Sequence, residues 1–148
     1  MLLVTSSVLL LPILLFLAAI LWAERVCEER HEVFEAVSSG CRVPPADIIR
    51  AICLPSQIEI LSNPNGAERQ LLKCHSLVDA LAEIPDFQSS SNLRVLGRLR
   101  VAIQTLREDC ADKLEAELIR TSLLIAKRDL DLLRRQYRYF ESSQGSRL

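Results

Sequence analysis

The sequence predicts an all-α protein: an N-terminal transmembrane helix followed by a helical bundle or antiparallel coiled coil with one long C-terminal helix. Three observations carry that expectation. Residues Leu2 to Ala23 contain no formal charge and are interrupted only by Thr5, Ser6, Ser7 and Pro12. The whole chain of 148 residues holds only four Phe, two Tyr and one Trp, so a core must be built from Leu, Ile, Val and Ala. Apolar residues then recur at spacings of 3 and 4 through most of the remainder, the period of one helix face, and few stretches show the alternation a sheet needs.

The span 1–23 reads as a membrane anchor. A hydrocarbon core of about 30 Å needs roughly 20 helical residues. A cleaved secretory signal has a basic start, a shorter apolar run and a small-x-small site. Here the first basic residue is Arg25, and a cut after Ala23 would place Leu21 three residues upstream. Pro12 is tolerated in a membrane helix as a kink. Trp22 falls where an indole favours the headgroup layer. Arg25, Arg30 and Arg42 follow the anchor and no Lys or Arg precedes it, which points to a single-pass protein with its domain in the cytoplasm. The five cysteines, Cys27, Cys41, Cys53, Cys74 and Cys110, are odd in number and widely spaced, which fits a reducing compartment.

Residues 24–37 read as a juxtamembrane helix that continues the anchor, with a narrow stripe of Val26, Val33, Phe34 and Val37 and a stop at Gly40. Residues 38–92 read as short helices and turns. Pro45 opens a short helix with Ile48, Ile49 and Ile52 on its buried face, and Pro55 ends it. Ser56 to Ser62 adds another turn or two, with Ile58, Ile60 and Leu61 as its apolar positions. Asn63-Pro64-Asn65-Gly66 is the strongest turn signal, so a helix is expected from about Ala67 to Ile84, burying Leu71, Cys74, Leu77, Val78 and Leu81. Pro85 breaks it, and Asn92 is the expected cap of the next element.

Residues 93–141 contain no Pro, and Gly97 is their only Gly. Leu96, Leu99, Ile103, Leu106 and Cys110 form one apolar run; Ile119, Leu123, Ala126, Leu130, Leu133, Tyr137 and Phe140 form another. The two do not share a register, so one helix of about 70 Å rotates its face near Ala111 to Leu114, or two helices meet there. The single helix is the favoured reading, and residues 142–148 are expected to be a disordered tail.

At the junction before that helix stands Leu81-Ala82-Glu83-Ile84-Pro85-Asp86-Phe87-Gln88-Ser89, followed by Leu93 and Leu96. This resembles the signature of LemA-family proteins: leucine, alanine, glutamate, then Tyr-Pro-Asp-Leu-Lys-Ala and two later apolar positions. Pro85, Asp86 and Leu96 match, and Ile84 stands where the family has tyrosine. The resemblance implies an anchor followed by an antiparallel bundle of long helices, and no catalytic residues. Cys41 to Leu54 has no counterpart of the family's Arg-Arg-x-Asp-Leu-Ile-Pro-Asn-Leu run.

No Gly-rich phosphate loop, carboxylate pair with a partner histidine or nucleophile pair with an orienting group is present, so the chain reads as a non-enzyme with no cofactor and no metal. Cys27 and His31 share a helix face at i, i+4, and Cys74 adjoins His75; both pairs read better as packed thiols and exposed imidazoles than as ligands. Two candidate surfaces remain. The stripe Leu96, Leu99, Ile103, Leu106, Ile119, Leu123, Leu130, Leu133 and Tyr137 is the expected seam for a partner helix or a second copy. Lys127, Arg128, Arg134, Arg135 and Arg138, interleaved with aromatics, are the candidate contacts to anionic lipid, with nucleic acid the weaker reading. Residues 24–92 hold six basic and eleven acidic side chains (net −5) and residues 93–148 twelve and eight (net +4), so the halves should attract each other. The expected function is a membrane-tethered scaffold. The alternatives are an accessory subunit of a larger membrane complex, or an exported envelope or lysis protein with its domain outside.

Overall fold

A computed structural model describes residues 2–145. Among them there is no strand; six α-helices follow in order, α1 (Leu2–Ser38), α2 (Pro45–Ala51), α3 (Gln57–Ser62), α4 (Pro64–Glu83), α5 (Ser90–Ala111) and α6 (Ala116–Gly145), with a 3-10 turn at Pro85–Phe87. The expected all-α bundle behind an apolar N-terminal helix is the observed fold.

α1 is one continuous helix of 37 residues with Pro12 inside it. From Leu10 to Trp22 every large apolar side chain is exposed, and the helix is long and apolar enough to cross a membrane. Its lower half behaves differently. Val33, Phe34 and Val37 pack against the bundle core, and Lys73 of α4 lies over the Phe34 ring at 5.3 Å. α1 ends where Gly40 takes φ +77°. Gly40 N donates to Val37 O at 3.1 Å and Cys41 N to Ala36 O at 2.9 Å, the paired bonds of a left-handed helix stop.

Pro45 opens α2, and Ile48, Ile49, Ala51 and Ile52 are buried. Residues 52–55 lie outside the helices with Ile52 and Pro55 buried, so their carbonyls need side-chain partners. Gln70 Nε2 and Cys74 Sγ donate to Cys53 O at 2.7 and 3.2 Å, and Arg134 Nη2 donates to Ile52 O at 3.1 Å. α3 starts with a reciprocal cap between Ser56 and Glu59. Of its three apolar positions only Ile60 is buried; Ile58 and Leu61 face outward.

Two helix starts lie upstream of their expected positions, each because a side chain supplies the cap. Asn63 Oδ1 accepts from Gly66 N at 3.1 Å, which draws Pro64, Asn65 and Gly66 into the first turn of α4. Ser89 Oγ accepts from Asn92 N at 3.3 Å, so Ser89 rather than Asn92 caps α5. The 3-10 turn between α4 and α5 inserts Phe87 into the core, where Tyr137 stacks on it at 5.8 Å.

The single helix expected over 93–141 is instead two. α5 stops at Ala111 and α6 begins at Ala116. Lys113 takes φ +50°, Lys113 N donates to Cys110 O at 3.3 Å and Leu114 N to Asp109 O at 3.2 Å. This is the same left-handed stop that Gly40 makes, built here on a lysine. α6 then runs back along α5, with pairs Asp109–Ser122, Arg98–Asp129 and Ser91–Gln136 climbing the hairpin in antiparallel order. It continues as helix through Gly145, past the expected tail boundary at 142, while residues 146–148 and the side chain of Phe140 lie outside the described residues. α5 packs on α6 on one side and on α4 on the other.

A left-handed turn costs a non-glycine residue about 1–2 kcal/mol. Lys113→Gly is therefore expected to raise the thermal midpoint, by about 1 kcal/mol of stability, whereas Leu106→Ala, at a position with no exposure, should cost about 2–5 kcal/mol. Thermal denaturation of the detergent-solubilised chain checks both directions.

Candidate functional site

The expected partner seam is closed within the chain. Leu96, Leu99, Ile103 and Leu106 of α5 and Ile119, Leu123, Leu130 and Leu133 of α6 are all buried in one core with Leu71, Leu77 and Leu81 of α4, and Tyr137 is partly buried against it. The physical reason is the turn at Lys113: once the helix folds back, its two apolar runs meet each other. A partner helix would have to displace α5 or α6 to reach them.

The five basic residues divide between two surfaces. Arg134 and Arg138 line a cleft with Arg50, Ala46, Ile49, Tyr137 and Glu141. Arg50 and Arg134 also line a second cleft whose opposite wall is α1, with Trp22, Val26, Arg30 and Val33, and with Glu29, Glu32 and Asp47 as its acids. Sequence spacing did not bring Arg50 into this group; only the fold sets α2 beside Trp22. Arg134 is in part structural, since it donates to Ile52 O and lies 3.9 Å from Asp131. Lys127 is exposed. Arg128 and Arg135 follow each other by one heptad on the outer side of α6.

That outer side carries the feature that the sequence reading missed. Leu118, Ile125, Leu132 and Tyr139 are each seven residues apart, and all are exposed, at 52, 43, 43 and 78%. The seven-residue repeat was present in the sequence but was overshadowed by the denser buried run. Beside this ridge a groove of about 410 Å³ separates α5 from α6, lined by Gly97, Arg98, Val101, Ala102, Thr105, Ser122, Ile125, Arg128 and Asp129. Val101 is 65% exposed. A Cβ built on Gly97 would meet nothing within 4 Å. On the groove floor Asp129 is only 4% exposed, 3.4 Å from Arg98 Nη2 and 3.7 Å from Arg128 Nη2, so one buried carboxylate is shared by two guanidinium groups.

The cysteine and histidine pairs separate. Cys27 and His31 are both exposed on α1. Cys74 points into the core and donates to Cys53 O, whereas His75 lies 3.3 Å from Asp79 and 3.4 Å from Arg100. Among the described residues no group of three or more His, Cys, Asp or Glu is arranged to hold a metal ion. Burial pushes the Cys74 thiol up to about 12, with the backbone of Cys53 and the charge on Arg30 opposing that rise and the neighbouring Cys53 thiol adding to it. Burial also raises Cys110, helped by Asp109 and Glu68. These are inert, packed thiols rather than nucleophiles.

No family model matches the chain, and neither a curated protein nor a solved structure matches it.

Because Cys74 holds its proton more tightly when folded, its burial stabilises the fold fully below about pH 9, and that contribution is lost as pH rises toward 12. Cys110 acts in the same direction. The thermal midpoint should therefore fall as pH rises above 9, and Cys74→Ala should flatten that fall. At pH 8, iodoacetamide should modify the exposed Cys27 and Cys41 first and reach Cys74 and Cys110 only on unfolding, read by mass spectrometry of timed digests.

Proposed function

We propose that the chain is a single-pass membrane tether that holds a helical interaction domain at the cytoplasmic face. The observation that carries this reading is the division of α1. Its first half exposes an unbroken apolar surface from Leu10 to Trp22, and the same helix continues, without a linker, into side chains that pack on the bundle. Such a joint fixes the domain next to the bilayer instead of letting it swing. Tethering raises the local concentration of whatever the domain holds.

Arg25, Arg30 and Arg42 just past the apolar half support the cytoplasmic orientation. So do five cysteines that are all free thiols. The cleft that joins Trp22 to Arg50 and Arg134 sets an indole beside guanidinium groups and the acids Glu29, Glu32 and Asp47, a mixed-charge lining compatible with a zwitterionic headgroup layer. The plan is also that of the LemA-like proteins that the stretch Leu81–Leu96 resembles. The reading assigns the chain no catalytic step.

Cys41 is the better topology reporter, being exposed in the loop after α1, whereas Cys53 is half-buried and Cys110 buried. A chain keeping Cys41 alone should resist an impermeant maleimide in intact cells and react after lysis, and it should stay with membranes through alkaline carbonate extraction. Labelling of intact cells would place the domain outside and move the exported reading to first place. Release by carbonate would remove the anchor.

A further inference from the structure

The interaction domain of the proposed tether must have a face that its own core does not use. We infer that this face is the outer side of the α5–α6 hairpin, and that it receives an acidic amphipathic helix from another protein. The inference rests on the tether reading for its biological setting, but its physical basis is the hairpin alone.

Four large apolar side chains repeat at seven residues on α6, Leu118, Ile125, Leu132 and Tyr139, over about 31 Å of helix. That is the spacing a partner helix reads when it lies along a ridge with knobs entering holes. The neighbouring groove supplies the hole: Gly97 leaves the α5 backbone bare, and Val101 and Ile125 form its apolar walls.

Charge decides between occupants. Arg98 and Arg128 line the groove and share its one acid, Asp129. Arg94, one helical turn before Arg98, and Arg135, one heptad after Arg128, form no ion pair among the described residues. The groove itself thus holds two guanidinium groups against one carboxylate, and the exposed Arg94 and Arg135 add unpaired positive charge farther along the same two helices. A second copy fits badly, because Arg128 lies beside the midpoint of the Leu118–Tyr139 ridge. Parallel or antiparallel, self-pairing sets Arg128 against Arg128 of the other copy. A flat bilayer fits badly too, since Arg98 and Arg128 flank a concave groove whose polar lining includes Ser122 and Asp129. A helix with leucines on one stripe and glutamates beside it satisfies both the ridge and the rim.

The test uses the full chain in detergent and a fluorescent 28-residue peptide with leucine at the two apolar heptad positions and glutamate at the flanking ones. A matched peptide with lysine in place of glutamate is the control. The acidic peptide should bind at least tenfold more tightly than its lysine counterpart, and more weakly as salt rises. Gly97→Leu fills open space on a helix, so it should keep or raise the thermal midpoint while weakening the acidic peptide tenfold or more. Arg94→Glu with Arg135→Glu should weaken it similarly. Equal binding of both peptides, no binding of either, or an unchanged affinity in folded Gly97→Leu would overturn the inference. So would a dimer of the wild type that Gly97→Leu or Leu132→Glu dissociates, or binding to anionic vesicles lost in the Arg94→Glu, Arg135→Glu chain with no peptide binding. None of these outcomes touches the topology result at Cys41, so the tether reading stands or falls separately.

Discussion

The left-handed turn at Lys113 is the constraint on which the rest of the bundle depends. It places about 1–2 kcal/mol of backbone strain at one residue. In return Leu99, Ile103, Leu106, Ile119, Leu123 and Leu133 close on one another, and each such side chain fully removed from water contributes about 1.5–3 kcal/mol. The register of the closure is set by polar groups on the outer edge of the same interface. Ser122, Asp129 and Gln136 step by seven along α6 and meet Asp109, Arg98 and Ser91 of α5. A slip of one turn would part Ser122 from Asp109, Asp129 from Arg98 and Gln136 from Ser91 together. Apolar burial drives the hairpin shut, and the carboxylate makes one alignment of it best.

Why that turn was hard to read from the sequence follows from its chemistry. At Gly40 the stop is announced by a residue that enters the left-handed region without strain, and the helix end falls within a residue or two of expectation. Asp112-Lys113-Leu114-Glu115 contains neither Gly nor Pro, so local propensity runs straight through it. The mismatch between the two apolar runs was the legible sign, but without a Gly or Pro beside it the single helix was the favoured reading, and the fold makes two. Caps at Asn63 and Ser89 were hidden for a related reason: a turn-like tetrapeptide or a run of serines can serve as the first turn of a helix once one side chain accepts from a backbone N–H. The core was easier. Ile48, Ile49, Ile52, Leu71, Cys74, Leu77, Val78 and Leu81 are buried as their periodicity requires, because spacing reports burial whether or not the boundaries are right. The outer ridge escaped because a period of seven is sparse beside a run of threes and fours.

The opposite charges of the two halves find partial partners in the fold. Arg100 reaches Asp79 at 3.2 Å and Arg107 reaches Glu68 at 3.9 Å, both between α5 and α4. These pairs are at least partly open to solvent and worth little to stability. Their effect is on orientation: Arg100 and Arg107 face the acids of α4, while Arg98 reaches Asp129 of α6 and lines the open groove. Other basic residues lie on α6, Arg134 and Arg138 in the cleft beside α2 and Arg128 at the groove, while the glutamates of α1 follow Trp22 along that helix.

α6 is consequently apolar on two sides, which a helix serving only its own bundle has no need to be. One arc, centred on Leu123, Leu130 and Leu133, is buried; the other, from Leu118 to Tyr139, meets solvent. Single exposed apolar residues are ordinary, but an aligned row of them on a small domain is a liability for association unless something limits or uses it. The arginines beside the row limit it, since they oppose pairing with a like surface. A shallow groove of about 410 Å³ with a charged rim gives an occupant little burial, and so modest affinity in free solution. Were α1 the membrane tether proposed above, that balance would change, because a partner held at the same surface would be met at an effective concentration that can approach millimolar. On the proposed reading the groove and the anchor are parts of one design: the anchor supplies the encounter, and the groove has only to choose the partner.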